Sequence, residues 1–393
     1  MIIKIFLKRG KEVAVKRFHP WLFSGAIERL EGNPTEGDIV EIRSHQNEYL
    51  ATGHYQLGSI AVKIFSFSPI DVTPEFWHMK LRNAYTLRQY LGLTESPLTN
   101  AYRLVHSEGD GLPGLIIDYY NGVAVIQSHS TGMVLLSKVF ANALKSIYGE
   151  KLIAVYHKNQ DKLRTKGKVQ SADGFLVGHA GVAEIMETAH RFKVDFIHGQ
   201  KTGFFLDQRS NRMFAQFYAR GRRVLDAFSY SGAFAVYALK GGATEVHSVD
   251  SSKQALERAK EHITINGIDI SRHRPILSDV RQFLDRCTEQ YEMIILDPPA
   301  FAKSHRVTNN ALQAYIHINR SAMEKLAPGG ILMTFSCSQA ISREVFRSAV
   351  QSAAMEAGRE VKLLHHLTQG PDHPVSIFHP EGEYLKGLIV MVE

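Results

Sequence analysis

Two stretches in the C-terminal half place reactive side chains directly after largely apolar runs of strand type. The run at 293–296 is followed by Asp297-Pro298-Pro299-Ala300-Phe301, and the run at 331–335 by Ser336-Cys337-Ser338. The carboxyl ends of neighbouring parallel strands meet at one edge of a sheet, which is where ligands bind. We therefore expect the Asp297 carboxylate and the Cys337 thiol to face one crevice.

A thiol in such a crevice is suited to alkylation of a pyrimidine carbon. Cytosine C5 is a poor nucleophile because aromatic stabilisation ties up the ring electrons. Addition of the Cys337 thiolate to C6 would give an enamine-like adduct whose C5 can attack a methyl group, so that one hard step becomes easier ones. The alternative is that Cys337 is a small buried apolar residue, as most cysteines outside disulfides are. Cys287 falls in a predicted helix at 281–288 and is expected to be structural.

The turn that begins at Asp297 is typical of a nucleobase site. Its two prolines make it rigid and poor in backbone donors. This leaves the Asp297 carboxylate available for the N3/N4 edge of a cytosine, where it would stabilise the protonated ring. Pro298, within the turn, and Phe301, which could stack on the base, are the expected substrate contacts. The alternative is an ordinary proline-rich strand end.

A row of strand-end aspartates indicates a cofactor with a ribose, and its members are Asp226, Asp250, Asp279 and Asp297. Asp250 follows Asp226 by 24 residues, the usual separation for an acid that holds ribose hydroxyls. The turn at 226–232 has one glycine, which disfavours a pyrophosphate. S-adenosylmethionine fits better, with its methionine end on this turn, its ribose at Asp250 and its adenine amino group at Asp279. The alternative for each aspartate is a helix cap or turn former.

The polar segment at 199–209 (GQKTGFFLDQR) precedes this region. Lys201 or Arg209 could face the carboxylate of the cofactor's methionine part. Asp207 is expected to cap a helix that begins near Gln208. Capping and cofactor contact are compatible interpretations of the segment.

Alternating strands and helices must position these groups, and they fill residues 189–393. Predicted strands lie at 224–226, 246–250, 275–279, 293–297 and 331–335, with helices between them, and the helix at 311–327 is expected to stop at Pro328-Gly329-Gly330. Two last strands, at 361–367 and 385–392, are expected to form an antiparallel edge pair. The pattern predicts an α/β fold, a Rossmann-like doubly wound domain.

The first 188 residues predict two further domains. Residues 1–72 have short strands separated by turn signals, typical of a small β-barrel. Residues 73–188 predict a central α+β domain with helices at 74–92 and about 133–147.

The chain begins with basic and aromatic residues suited to RNA, among them Lys8, Arg9, Arg17 and Trp21. The alternative is a solvated strand edge with a core tryptophan. A basic run, Lys158, Lys162, Arg164, Lys166 and Lys168, is a second candidate RNA contact or a solvated loop.

Composition limits the classes of protein that remain. The 393 residues carry 46 Lys+Arg against 39 Asp+Glu, a net charge of +7, which favours a polyanionic partner. Two cysteines exclude a disulfide scaffold and suit a reducing cytosol. No apolar run reaches the roughly 20 residues of a membrane span. We expect a cytoplasmic protein without membrane contact, and the motifs indicate no metal site.

Taken together, these motifs closely resemble the RlmI family of 23S rRNA cytosine-C5 methyltransferases. The matching stretches are collinear: RLVHSEGDGLPGLIIDYY (103–120), GQKTGFFLDQRSNR (199–212), FSYSGAFAVYALKGGA (228–243), SVDSS (248–252), IILDPPAFAKS (294–304), PGGILMTFSCS (328–338), DHPV (372–375) and EGEYLKGL (381–388). Near the N-terminus, Arg17, His19, Trp21, Phe23 and Gly25 match the family's pattern. Ala300 and Asp226 depart from it, since lysine and, in many members, asparagine are expected there.

The resemblance implies an N-terminal PUA-type RNA-binding domain, a central α+β domain and a methyltransferase domain. It implies cofactor contacts at Phe228, Ser229, Gly232, Asp250 and Asp279. We expect further cofactor contacts from Ser251, Lys201 and Thr202, which lie within the matching stretches. It also implies Cys337 as nucleophile, Asp297 at the base edge and 23S rRNA as partner, and it is compatible with a homodimer. The base that removes the C5 proton stays unassigned, with His373 as one candidate.

Two other functions remain open from the sequence. Turns of the Asp-Pro-Pro-Phe/Tyr type also serve methylation of an exocyclic amine such as guanine N2, without a thiol. The chain could also be a non-catalytic RNA-binding assembly factor whose Rossmann-like domain is a scaffold.

Overall fold

A computed structural model describes residues 3–158, 173–301 and 308–393. The chain divides into two compact units. The first comprises Met1–Met186, Val194–Leu206 and Pro371–Gly382, and the second comprises Glu187–Lys193, Asp207–Gly370 and Glu383–Glu393. The basic run at 162–168 lies outside the described residues. No helix among those described is long and apolar enough to cross a membrane.

The N-terminal part of the first unit is a mixed six-stranded sheet in the order β2-β6-β5-β4-β1-β3. Only β1 and β4 run parallel, and the other neighbours are antiparallel. Alternate strand residues such as Ile5, Leu7 and Val40 form its buried core. Its elements are β1 (Ile3–Leu7), α1 (Val13–Lys16), β2 (Trp21–Phe23), β3 (Ile27–Glu31), β4 (Ile39–Arg43), β5 (Tyr49–Tyr55) and β6 (Ile60–Ser66).

The rest of the first unit is an α+β layer around the sheet β11-β10-β9-β8-β7. Its first helix begins as expected, because the Thr73 hydroxyl accepts a hydrogen bond from the Phe76 N–H and Pro74 occupies the first turn. The helix expected at 133–147 is two helices that meet at Leu136. The elements are α2 (Pro74–Tyr90), β7 (Ala101–His106), β8 (Leu115–Tyr120), β9 (Val123–Ser128), α3 (Thr131–Leu135), α4 (Ser137–Tyr148), β10 (Ala154–His157) and β11 (Gly174–Val177). Two short strands, β12 (Ala183–Glu187) and β13 (His190–Val194), lie where the chain passes between the units.

The second unit is a doubly wound α/β domain with the strand order β16-β15-β14-β17-β18-β20-β19. Strands β14 to β18 pair in parallel, whereas β20 pairs antiparallel with β18 and β19, as expected for the last two strands. The elements are α5 (Arg209–Tyr218), β14 (Arg223–Ala227), α6 (Ala233–Lys240), β15 (Glu245–Asp250), α7 (Lys253–Ile265), β16 (His273–Leu277), α8 (Val280–Arg286), β17 (Tyr291–Leu296), α9 (Thr308–Glu324), β18 (Leu326–Ser336), α10 (Arg343–Ala357), β19 (Val361–Leu367) and β20 (Lys386–Val392). The predicted fold class is confirmed.

Two local predictions in this unit are wrong. Helix α9 ends at Glu324 rather than at Pro328, because the Tyr291 N–H bonds to the Lys325 carbonyl and strand pairing takes over from there. Asp207 does not cap the following helix: Gln208 occupies the cap position, and the Asp207 carboxylate accepts a hydrogen bond from the Tyr384 hydroxyl at 2.5 Å. A long-range partner therefore replaces the local one.

Candidate functional site

Strands β14 and β17 lie side by side where the strand order reverses, which is the position of ligand crevices in doubly wound sheets. Asp226 lies near the end of β14 and is 1% exposed, and Asp297 directly follows β17. Burial raises the pKa of Asp226 well above its usual value, and the neighbouring Asp297 raises it further. The crevice thus contains two acids: the buried Asp226, which favours its neutral form, and the half-buried Asp297.

The turn after β14 is built from residues in the left-handed backbone region. Phe228, Tyr230 and Gly232 have φ values of 61°, 46° and 70°. Such conformations cost about 1–3 kcal/mol each for residues other than glycine and cluster at ligand sites. The Gly232 Cα faces helix α7, because a Cβ there would lie 2.6 Å from the Ala259 Cβ. Ser229, which lies between Phe228 and Tyr230 in this turn, is buried.

Asp250, the last residue of β15, fastens this turn to the neighbouring strand. One carboxylate oxygen accepts the Tyr230 N–H at 2.9 Å, and the other accepts the Ser252 N–H at 2.8 Å. Ser252 in turn caps helix α7, while Ser251 is exposed beside it. The carboxylate therefore lies at the end of the second strand and next to the turn, as the sequence predicts for an acid facing a ribose.

Asp279 caps a helix, which was the alternative to a cofactor contact in the sequence analysis. Strand β16 ends at Leu277, and Asp279 is the cap residue of helix α8, where its side chain accepts the Gln282 N–H at 3.1 Å. Asp279 is exposed. Capping one backbone donor is compatible with a contact from the same carboxylate to a ligand.

Cys337 lies directly after β18, against the turn that follows β17. Its thiol donates to the Pro298 carbonyl across 3.8 Å, so the predicted nucleophile and the predicted base-edge turn are neighbours. Pro298 is buried, whereas Cys337 is half-buried and forms no disulfide.

A hydroxyl network fixes both neighbours of Cys337. The Ser336 hydroxyl donates to the Tyr315 hydroxyl at 2.9 Å, and the Tyr315 and Ser338 hydroxyls lie 3.1 Å apart. The Phe301 ring lies 4.8 Å from the Tyr315 ring. Phe301 thus rests on helix α9 through one of its contacts. The sequence analysis missed Tyr315, which only the packing of this helix brings to the site.

The sequence analysis also missed Lys386 as a site residue. It opens β20 opposite Ser336, is 3% exposed, and donates to the Ser338 carbonyl at 2.7 Å. Burial lowers its pKa to about 8, and the nearby Cys337 opposes that shift. A lysine at the head of an otherwise apolar strand is the signal that could have identified it.

The remaining expected cofactor contacts have other partners. Lys201 is exposed, with its Nζ 4.7 Å from the Phe205 ring centre, and the buried Thr202 hydroxyl donates to Asp118 at 2.6 Å in the first unit. Arg209, in the second unit, lies 3.4 Å from the buried carboxylate of Glu187. Thr202 and Arg209 therefore each have a partner within their own unit, and their contact with the cofactor stays a prediction.

The N-terminal residues expected at RNA are mostly on the surface. Lys8, Arg9 and Arg17 are exposed, and the Lys8 ammonium donates to the Gly25 carbonyl. Trp21 is half-buried, and its indole N–H donates to Glu108 at 2.9 Å. The three basic side chains are therefore accessible to solvent, whereas the Trp21 ring is fixed by its hydrogen bond to Glu108.

The strand order, the acid that closes the second strand and the one-glycine turn after the first are the features expected of the S-adenosylmethionine-dependent methyltransferase class. The model of the S-adenosylmethionine-dependent methyltransferase family matches residues 103–381, and that of the PUA-like domain matches residues 5–67. The chain belongs to this methyltransferase family and carries a PUA-like domain before it, as the sequence motifs predict. Its cofactor is S-adenosylmethionine.

Relatives support the same assignment over the full length. The chain is 39% identical over 397 residues to ribosomal RNA large subunit methyltransferase I of Aeromonas salmonicida, covering 99% of each chain. It is 38% identical over 399 residues to the protein of that name from Serratia proteamaculans, covering 100% of both. A SAM-dependent methyltransferase structure from Streptococcus mutans superposes with a TM-score of 0.85 over 100% of both chains, at 22% identity, which shows a shared fold.

Proposed function

We propose that the chain transfers a methyl group from S-adenosylmethionine to C5 of a cytosine in 23S rRNA, through a covalent bond between the Cys337 sulfur and C6 of the base. The contact of the Cys337 thiol with the Pro298 carbonyl, one residue beyond Asp297, carries this proposal. The ribosomal substrate rests on the names of the relatives. It agrees with the cytoplasmic location expected from the sequence.

In this proposal, the turn at 228–232 and Asp250 hold the cofactor, which supplies the methyl group. Phe228, Ser229 and Gly232 would line the methionine end, Asp250 the ribose hydroxyls, and Ser251 and Asp279 the adenosine side. The strained backbone of the turn and the two N–H donors on Asp250 support a preformed cradle. An indirect role is proposed for Lys201, Thr202 and Arg209. They would order the segment at 199–209, which leads into the methyltransferase domain.

Gly232→Ala is expected to weaken S-adenosylmethionine binding by about tenfold or more, because the new Cβ would lie 2.6 Å from the Ala259 Cβ at a φ of +70°. Calorimetric titration with S-adenosylmethionine measures this. The matched control is Gly358→Ala, where φ is +63° but nothing lies within 4 Å of the added Cβ. The control should lose some stability and keep its cofactor affinity. Equal affinities in the two variants would contradict the proposed cradle.

Asp297 and Lys386 would do the chemistry around Cys337. Asp297 would accept hydrogen bonds from the N3/N4 edge of the cytosine and favour the protonated ring once the thiolate adds to C6. The Lys386 ammonium, buried beside Cys337, would favour the thiolate over the thiol. Pro298 and Phe301 would shape the base pocket, and Lys8, Arg9, Arg17 and Trp21 would contact the RNA backbone and bases.

The role of Lys386 gives a pH dependence. Because burial lowers its pKa to about 8, the ammonium is present below that pH and is lost as the pH rises through it. Below that pH the charge favours the thiolate, so the methylation rate of the native chain should reach its plateau at a lower pH than that of a variant without the charge. Lys386→Arg keeps a charge throughout this range and should follow the native profile. Lys386→Met should slow transfer roughly tenfold near neutral pH, the effect of one pKa unit on the thiolate.

Single-turnover rates between about pH 6 and pH 10 test this profile, since they exclude product release. A rise in rate with the same pH midpoint in the native chain and in Lys386→Met would show that another group controls the profile.

Nucleoside analysis tests the proposed product. Unmodified 23S rRNA is incubated with the protein and methyl-labelled S-adenosylmethionine, then digested to nucleosides. We expect the label in 5-methylcytidine. Label in N2-methylguanosine would favour the exocyclic-amine alternative, and absence of transfer with intact RNA binding would favour the assembly-factor alternative.

A further inference from the structure

We propose that His19, His379 and Glu381 form a binding site for one Zn²⁺ ion in the first unit. His19 Nε2 lies 3.7 Å from one Glu381 carboxylate oxygen, and His379 Nε2 lies 3.8 Å from the other. One ligand atom from each of the three side chains lies within 4.8 Å of the others. The sequence motifs indicated no metal here, since 360 residues separate the two histidines.

The side chain of His379 is buried and aimed into this cluster. His379 is 2% exposed, and neither of its ring nitrogens has a hydrogen-bond partner among the described residues. A buried polar group without a partner costs about 1–3 kcal/mol. A metal ion bound at Nε2 would give that nitrogen a partner and so remove the free-energy cost of burying it alone.

His19 has the orientation of a metal ligand. Its Nδ1 lies 3.1 Å from the Trp21 carbonyl oxygen and 3.2 Å from the Trp21 backbone nitrogen, and each tautomer of the ring forms one of these two hydrogen bonds. With a proton on Nδ1 donated to the carbonyl, Nε2 presents its lone pair to Glu381. Metal-binding histidines commonly use their second nitrogen in this way.

The donor set and its spacing fit zinc. Two imidazoles and one carboxylate, with a water as fourth ligand, are a known tetrahedral zinc set with bond lengths of about 2.0–2.2 Å. Such a tetrahedron has edges of about 3.3–3.4 Å, so the separations of 3.7 Å and 3.8 Å to the two Glu381 oxygens must shorten by a few tenths of an ångström. The widest pair of ligand atoms, within 4.8 Å, must shorten by up to about 1.5 Å. Glu381 can supply this movement because its side chain is 52% exposed. The exposed side also admits the water.

Nearby charges favour a cation at this place. Glu381 contributes its carboxylate to the cluster itself, and the Glu108 carboxylate accepts the indole N–H of the neighbouring Trp21 at 2.9 Å. The Trp21 ring lies 4.3 Å from the His379 ring and shields the site from one side. A bound ion would fasten the turn Pro380–Gly382 to the chain at His19 and so link two distant parts of the sequence.

A competition titration tests the site. The full chain is stripped with a chelator, and Zn²⁺ is then divided between the protein and a chromophoric chelator. We expect one Zn²⁺ per chain. His379→Phe, which keeps the ring volume, should weaken binding by more than about 100-fold, beyond the roughly 10–100-fold cost of changing an outer-shell partner. Glu381→Gln, a change at a half-exposed side chain, should weaken binding and leave the unfolding temperature without metal unchanged.

The matched control is His366→Phe. It removes one imidazole at an exposed position on β19, outside the cluster, and should bind Zn²⁺ like the native chain. Co²⁺ replaces Zn²⁺ to report the ligands, and its spectrum should lack the charge-transfer band of a thiolate. No stoichiometric Zn²⁺ binding, equal affinity in His379→Phe, or a thiolate band from either cysteine would each overturn the proposal. None of these results depends on methyl transfer.

Discussion

Cys337→Ala is expected to lower the rate of methyl transfer by roughly 10³-fold or more while leaving S-adenosylmethionine affinity within about twofold. Without the sulfur, C6 of the cytosine has no nucleophile, and C5 keeps its aromatic, unreactive electrons. The proposed cofactor residues lie in the turn after β14, at the end of β15 and at the cap of α8, so the substitution does not change any of them. Single-turnover transfer and calorimetry measure the two effects separately.

Cys287→Ala is the matched control, because it makes the same chemical change at the chain's other cysteine. Cys287 follows helix α8, and its backbone N–H bonds to the Phe283 carbonyl. We expect full transfer from this variant. Transfer by Cys337→Ala at more than about a tenth of the native rate would exclude the thiol mechanism and favour methylation of an exocyclic amine.

Glu187→Ala is expected to lower the free energy of unfolding of the second unit by about 3–5 kcal/mol, the usual cost of removing one partner of a buried ion pair. The Glu187 carboxylate is fully buried and accepts two hydrogen bonds from Arg212, both at 2.8 Å. It also accepts one from the Tyr237 hydroxyl at 3.1 Å and lies 3.4 Å from Arg209. Alanine would leave two buried guanidinium groups without this carboxylate.

Urea unfolding measures this loss, with Glu257→Ala as control. Glu257 pairs with Lys260 at 2.9 Å on the exposed face of α7, and such surface pairs contribute about 0–1 kcal/mol. A loss in Glu187→Ala no larger than in the control would contradict a structural role for the cluster around Arg209. It would then favour the expectation that Arg209 serves the cofactor directly.

The parts of the site that local patterns encode could be predicted from the sequence. Apolar runs ending in Asp297 and Cys337 specify parallel neighbours, and these two ends meet as expected. Asp250 was predicted on the same ground, since strand ends share one edge of the sheet. Lys386 could have been noticed at the head of an apolar strand, but its position beside Cys337 depends on the antiparallel pairing of β20 with β18, which local patterns do not encode.

Other contacts depend in the same way on the assembled fold. Arg209, one of two residues that the sequence offered as a partner for the cofactor carboxylate, lies 3.4 Å from the buried carboxylate of Glu187. Tyr384 competes with local capping for Asp207 across 177 residues. Contacts between residues that are far apart in the chain produce no periodicity or fixed spacing in the sequence, so they become visible only in the folded structure.

The most direct test of the covalent mechanism uses 23S rRNA fragments that contain 5-azacytidine at the target position. A nitrogen replaces C5 in this base, so the proton whose loss would release the thiol is missing and the adduct persists. The native chain should form a protein–RNA adduct that survives denaturation, joined through Cys337, and Cys337→Ser should form none. A normal yield of adduct from Cys337→Ser, or no adduct from a native chain that methylates ordinary cytosine, would contradict the mechanism.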